Sequence, residues 1–171
     1  MVWGRVSAIA AAIATVMCAA GPARADDPDL LSVAGGWYDW NRQFDQAGEF
    51  RLEYRSDRKL WVFKPFAAFA ITSDRSIFLH SGLLLDVYFG RRLVLTWSEA
   101  PGFYDQGDSR RDLGYPLEFR SQLELSYRFD DRSRLGLAVS HYSNASLGDT
   151  NPGTESAMLY YSIPVDKLWW R

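Results

Sequence analysis

The chain has 171 residues, with 19 Lys and Arg against 21 Asp and Glu and a formal net charge of −2. This mildly acidic balance, without a block of basic residues, argues against a protein that binds nucleic acid. The sequence is rich in aromatic residues but has a single cysteine, Cys18, so it cannot form an internal disulfide.

The first 25 residues are predicted to be a secretory signal peptide rather than part of the fold. Arg5 precedes an apolar run from Val6 to Ala20, and Ala23-Arg24-Ala25 is a small-x-small cleavage site. The apolar run is too short for a membrane-spanning helix. Cleavage leaves one predicted domain, residues 26–171, long enough for a single folding unit.

Eight segments of this domain are predicted to be β-strands, because their apolar residues alternate with polar ones or run almost continuously. They are Leu31–Tyr38, Glu49–Arg55, Leu60–Ile71, Ile77–Phe89, Leu93–Trp97, Leu117–Phe129, Leu135–Ser143 and Glu155–Ile163. Between the fifth and sixth strands, Ala100–Tyr115 is rich in Gly, Asp, Arg and Pro and is predicted to be the longest segment without regular structure.

The lengths of the connections alternate along the chain. With the N-terminus on the periplasmic side, the inner turns are short, at 56–58, 90–91 and 130–133. Three of the four outer connections are long, at 39–48, 100–115 and 144–153. This pattern, and a sixth strand long enough for a tilted membrane crossing, predict an all-β, eight-stranded antiparallel transmembrane β-barrel in the bacterial outer membrane.

Alternation alone does not exclude a soluble periplasmic lipid-binding barrel, whose apolar face would point inward. In the membrane barrel, the charged faces of the strands are instead expected to form ion pairs inside. These charged residues are Glu49, Arg51, Glu53, Arg55, Glu118, Arg120, Glu124 and Arg128. His80 and Asp86 share this inner face, and we expect the histidine to make a structural hydrogen bond there.

The seventh and eighth strands carry the parts of a Ser-His-acid esterase. His141 and Ser143 are two residues apart and share one face, with Cα atoms about 6.5 to 7 Å apart. Glu155, at the start of the next strand, can reach the histidine across the hairpin. All three lie on the apolar face, which a membrane barrel turns toward lipid, and ionisable groups in that position usually mark function.

The final quarter of the chain also carries a motif that resembles the lipid A 3-O-deacylase family. Its residues are His141, Tyr142, Ser143, Asn144, Asn151, Gly153 and Glu155. The resemblance implies that Ser143 is the nucleophile, His141 the base and Glu155 the orienting acid. It also implies that Asn151 and Asn144 support the oxyanion site.

The substrate implied by the resemblance is the 3-O-linked acyl ester of lipid A in lipopolysaccharide, with no metal or other cofactor. The oligomeric state stays open, a homodimer included. The alternative function is that of a non-catalytic structural or adhesive eight-stranded outer-membrane protein.

Overall fold

The computed structural model describes residues 27–110 and 112–168, so the predicted signal peptide lies outside the described residues. It contains eight strands followed by a short 3-10 helix at Val165–Lys167. The strands are β1 (Leu30–Tyr38), β2 (Ala47–Arg55), β3 (Lys64–Thr72), β4 (Ile77–Phe89), β5 (Leu93–Asp105), β6 (Leu117–Arg128), β7 (Arg134–Ser143) and β8 (Thr154–Pro164).

The strands form one closed antiparallel barrel. Each strand pairs with its neighbours in sequence, and β1 closes the sheet by pairing with β8, from Leu30 opposite Pro164 to Tyr38 opposite Ser156. Closure leaves no unpaired strand edge. The predicted eight-stranded all-β architecture is confirmed. Within the described residues, no helix has the length and apolar character needed to cross a membrane.

The fifth strand is longer than predicted. It continues to Asp105, so the expectation that residues 100–115 lack regular structure is wrong for the first part of that range. Pro101 and Gly102 are residue types that are typical of loops, but both pair with residues of β6 in the sheet. The glycine is required by packing: a Cβ at Gly102 would lie 2.5 Å from the Cβ of His80 and 2.7 Å from the Phe78 ring.

The third strand is shorter than predicted, because residues 60–63 form a tight turn instead of extending it. Leu60 and Phe63 make an isolated bridge there, and Trp61 adopts a left-handed conformation with φ 64°. The inner connection after β2 therefore spans residues 56–63, and the predicted short turn at 56–58 is wrong. Apolar content alone does not distinguish this turn from the strand that follows it.

The interior of the barrel is filled by charged side chains. Arg55 donates hydrogen bonds to both Glu53 and Glu124 at 2.6 Å, and all three are at most 4% exposed. Arg51 likewise pairs with Glu49 inside the barrel. Most of the predicted interior ion pairs are thus confirmed.

Large apolar side chains occupy the outward positions of the strands instead. Leu123, Leu125, Leu137 and Val139, for example, are between 46% and 69% exposed. Charges inside and apolar side chains outside are the arrangement of a membrane barrel. The alternative of a soluble barrel with an apolar interior is wrong.

Glu118 departs from this pairing, because neither of its carboxylate oxygens has a hydrogen-bond partner among the described residues. The ring of His80, also inside the barrel, stacks on that of Phe78 at 4.5 Å between ring centroids. Asp86 is about 20 Å further along β4, where it contacts Arg134.

The buried ion pairs of Arg55 with Glu53 and Glu124 predict a large loss of stability for Arg55→Ala. The change would leave the buried carboxylates of Glu53 and Glu124 without their shared cation, and breaking such a pair costs about 3 to 5 kcal/mol. The free energy of unfolding, from urea titration of the barrel in lipid vesicles, should fall by about that amount. Lys59→Ala, in an exposed connection, is the matched control; equal effects of the two variants would contradict the prediction.

Candidate active site

The candidate site lies on the outer wall, where β7 ends and β8 begins. The register of this hairpin places His141 directly opposite Glu155. Nδ1 of the imidazole lies 3.1 Å from Oε1 of the carboxylate, while the histidine side chain stays 48% exposed and the glutamate 21%. A carboxylate on Nδ1 favours the tautomer whose proton is on that nitrogen, so Nε2 is left as the acceptor.

The carboxylate of this pair is also held by a residue from the first outer connection. Arg42 donates from Nε to Oε2 and from Nη2 to Oε1 of Glu155, both at 3.1 Å, and from Nη1 to the carbonyl oxygen of Pro152. Two parallel bonds from one guanidinium fix the carboxylate plane as well as its charge. Arg42 thereby fixes the position of the acid relative to the imidazole.

The glycine just before β8 lets the chain pass close to the imidazole. Gly153 has φ 58°, and a Cβ there would lie 3.0 Å from the carbonyl oxygen of Tyr142 and 3.2 Å from Cε1 of His141. A larger residue would be strained in this conformation and would push the ring.

Ser143 shares the outer face with His141, two residues further along β7, and lies opposite Phe119 of β6. Its side chain is half-buried. Among the described residues its hydroxyl makes no hydrogen bond to the imidazole, although hydrogen bonds of this kind commonly shorten only when substrate is bound.

A second hydroxyl lies beside the imidazole. Ser121 of β6 is the direct cross-strand neighbour of His141. Its Oγ donates to Oε2 of Glu99 at 2.7 Å, so its proton points away from the histidine. Of the two serines, Ser143 is the one whose proton is not already given to a carboxylate.

Asn144 links two of the outer connections and is completely buried. Its side-chain Nδ2 donates to the carbonyl oxygens of Leu113 at 2.9 Å and Thr150 at 2.7 Å, and its Oδ1 accepts from the backbone N–H of Ser146. The backbone N–H of Asn144 donates to Oδ1 of Asn151. The Asn144 amide donors are therefore occupied, whereas Nδ2 of Asn151 has no hydrogen bond to a described residue.

The described part of the chain contains no group of three or more His, Cys, Asp or Glu side chains arranged to hold a metal ion. Arg42 and the Glu99–Ser121 pair were not identified from the sequence. Arg42 lies in a polar connection with no motif of its own, and the contact of Ser121 with Glu99 depends on the β5–β6 register.

The sequence model of the family described as lipid A 3-O-deacylase (PagL) matches residues 31–164 of this chain. The chain belongs to this family. The match contains all the site residues described above.

A comparison with an individual relative agrees with the family assignment. The chain is 36% identical over 55 residues to the lipid A deacylase PagL of Pseudomonas aeruginosa strain PAO1, a stretch that is 32% of each protein. The matched segment thus spans about a third of that relative.

Two solved structures share the fold. The crystal structure of the outer membrane enzyme PagL matches with a TM-score of 0.62 and 19% identity, over 80% of this chain and 99% of that one. A de novo designed transmembrane β-barrel matches with a TM-score of 0.54 and 11% identity, over 80% and 96%. Family and architecture together identify the chain as an outer-membrane β-barrel.

The contact of Arg42 with Glu155 predicts that Arg42→Ala lowers ester hydrolysis mainly through kcat, because the imidazole would lose a fixed partner. We expect a reduction of about 10-fold or more, with Arg42→Lys intermediate because an ammonium cannot reproduce the paired contact. The measurement is kcat and KM on a soluble ester in detergent. Arg58→Ala, an exposed arginine of an inner connection, is the control; a loss confined to KM would argue against this role.

Proposed function

We propose that this chain is a serine esterase that removes the 3-O-linked hydroxyacyl chain from lipid A of lipopolysaccharide. Ser143 is the nucleophile, His141 the general base and Glu155 the acid that orients it. The observation that carries the proposal is the imidazole–carboxylate contact of 3.1 Å on the outer wall of a membrane barrel. Structural histidines and glutamates of such barrels have no reason to face lipid, where they are costly.

The chemistry follows from the geometry of the pair. Nε2 of His141 takes the proton of Ser143 as Oγ attacks the ester carbonyl carbon, and Glu155 stabilises the resulting imidazolium. The tetrahedral intermediate collapses when the bond to the sugar 3-oxygen breaks, and His141 returns the proton to that oxygen. Water, activated by the same histidine, then hydrolyses the acyl-enzyme and releases a 3-hydroxy fatty acid.

The oxyanion formed in this step needs hydrogen-bond donors near Ser143. Nδ2 of Asn151 is our proposed donor, and Asn144 supports it by holding Oδ1 of the same amide through its backbone N–H at 3.1 Å. One donor of this kind is typically worth about 3 to 4 kcal/mol in transition-state stabilisation. Asn144 then acts by positioning the loop rather than by contacting the substrate.

An apolar groove of about 520 Å³ runs along the outer wall below the catalytic pair. Outward leucine and valine side chains of β6 and β7 form one side of it, and Ala157, Gly35 and Gly36 line the other. Gly35 faces outward, and a Cβ there would meet nothing within 4 Å, so its missing side chain leaves a depression between β1 and β8. The groove supports the proposal because an acyl chain attached to an ester at Ser143 could lie along it, in contact with the membrane interior.

The placement of the site also fits the proposed substrate. The four connections at this end, 39–46, 73–76, 106–116 and 144–153, are on the side opposite the two chain ends. With the chain ends periplasmic, the catalytic pair lies at the outer leaflet, which in this membrane holds lipopolysaccharide. The ester of lipid A would then reach Ser143 from within the leaflet.

Ser143→Ala tests the nucleophile directly. In cells that express the wild type, mass spectrometry of lipid A should show the loss of one hydroxyacyl group, and Ser143→Ala should abolish this loss. We expect the rate to fall by at least about 1000-fold, as for other serine triads. A wild-type chain that leaves lipid A unchanged would favour the structural or adhesive alternative.

A serine-reactive phosphonate separates Ser143 from Ser121. We expect the probe to modify the peptide that contains Ser143, because only this hydroxyl is free to give its proton to His141. Modification of Ser121 instead would assign the nucleophile to β6 and overturn this part of the mechanism.

The groove predicts a dependence on acyl-chain length. Ala157→Phe would fill the groove beside the catalytic pair, so hydrolysis of long-chain esters should fall by about 10-fold or more while short-chain esters are spared. Leu79→Phe, an outward substitution on β4 away from the groove, is the control. An equal loss on short and long esters would show that the variant damages the catalytic pair rather than the groove.

A further inference from the structure

The outer wall carries a second polar group in the same layer as the catalytic pair. Successive strands place Glu99 of β5 opposite Ser121 of β6, Ser121 opposite His141 of β7, and His141 opposite Glu155 of β8. Four polar side chains therefore form one continuous row around the barrel. The Ser-His-acid mechanism uses only the β7 and β8 half of this row.

The carboxylate of Glu99 accepts two hydrogen bonds but has no positively charged partner among the described residues. Its Oε1 accepts from the indole N–H of Trp97 at 3.0 Å, and its Oε2 accepts from the hydroxyl of Ser121 at 2.7 Å. No Lys, Arg or His side chain within residues 27–110 and 112–168 forms an ion pair with it. A carboxylate can accept about four hydrogen bonds, so about half of its capacity is open.

Glu99 is not at the polar rim of the barrel. Toward the periplasm, the next outward residues are Trp97 and Leu123, and toward the outside they are Pro101 and Phe119. Further out, the apolar wall continues with Phe103 opposite Leu117. The carboxylate thus interrupts an apolar band on both sides. An uncompensated charge in such a band destabilises a membrane barrel, so a purely structural origin is a poor explanation.

We propose that Glu99, positioned by Ser121, is a subsite that binds a hydrogen-bond donor of the ester substrate beside the catalytic histidine. This inference rests on the proposed esterase function and adds a determinant of its specificity. A carboxylate only accepts hydrogen bonds and repels anions. The group bound is therefore a hydroxyl or an amide N–H, and not a phosphate of the lipid headgroup.

The distances fit a donor close to the scissile ester. Strands are about 4.8 Å apart, so the Cα of Glu99 lies about 10 Å from that of His141, and its carboxylate leans toward Ser121 between them. Ser121 is also the residue directly above Leu123 of the apolar groove. If the ester carbonyl of the substrate lies at Ser143 and its acyl chain lies in the groove, the first carbons of that chain pass beside Ser121.

Two parts of the substrate have a donor of this kind: the 3-hydroxyl of the acyl chain, and the hydroxyl and amide groups of the sugar. Four esters separate them, pairing a 3-hydroxyacyl or an unsubstituted acyl chain of equal length with either glucosamine or phenol. The test compares kcat/KM of wild type and Glu99→Leu on all four. A hydrogen bond to a charged group corresponds to about 10- to 100-fold.

A 10- to 100-fold loss confined to the two hydroxyacyl esters assigns the donor to the acyl chain. The same loss confined to the two glucosamine esters assigns it to the sugar. Either pattern supports the subsite. Equal losses on all four esters, or none, would overturn it.

The stability of the barrel distinguishes a binding role of Glu99 from a structural role, because the two roles predict different effects of Glu99→Leu on unfolding by urea. If Glu99 serves binding, Glu99→Leu extends the apolar band and leaves the resistance of the barrel to urea unchanged or higher. A clear decrease in that resistance would mean that the residue holds the fold, and would overturn the inference. Asp130→Asn, an exposed carboxylate in an inner turn, is the charge-matched control.

Ser143→Ala on the same four esters keeps the two proposals separable. Loss of all four activities supports the esterase mechanism whatever Glu99→Leu shows. Retained hydrolysis in Ser143→Ala would overturn that mechanism. If Ser143→Ala is inactive and Glu99→Leu lowers the hydrolysis of all four esters equally or not at all, only the subsite is overturned.

Discussion

The register of the β7–β8 hairpin is the constraint on which the rest of the site depends. Side chains alternate between the two faces of a strand, so a shift of one residue would send either the imidazole or the carboxylate into the barrel. His141 lies opposite Glu155 because the connection of residues 144–153 fixes where β8 begins. The hydrogen bonds of Asn144 across that connection hold this starting point in place.

The charged interior makes an outer-wall site feasible. With Arg51, Arg120 and Arg134 fully buried and in contact with acidic or polar partners, the polar side chains of the strands are concentrated inside. The outward positions are then free to be apolar, as contact with lipid requires. Against this background the row from Glu99 to Glu155 is an exception that the fold itself does not explain.

The outer connections do more than join strands. The first brings Arg42 onto the carboxylate of Glu155, and the third, through Leu113, receives the side-chain amide of Asn144. Three separate parts of the chain therefore converge on one hairpin end. The position of the Glu155 carboxylate and the start of β8 are therefore fixed by loops as well as by the sheet.

The sequence by itself determined the number of strands, their closure into a membrane barrel and the face shared by His141, Ser143 and Glu155. The strands and the shared face follow from side-chain alternation, which is a local property of the strand. The membrane barrel follows from the alternating lengths of the connections and the length of the sixth strand. The sequence did not determine that β5 runs through Pro101 and Gly102, because local turn signals are overridden there by pairing with β6.

Only the tertiary structure decided which side chains from distant strands and loops meet. The guanidinium of Arg42 lies 113 residues before Glu155 in the chain, and Glu99 meets Ser121 only through the β5–β6 register. The lack of a hydrogen-bond partner for the Glu118 carboxylate among the described residues likewise follows from barrel packing rather than from any pattern along its strand. Contacts of this range depend on how the whole sheet closes, which alternation along one strand does not encode.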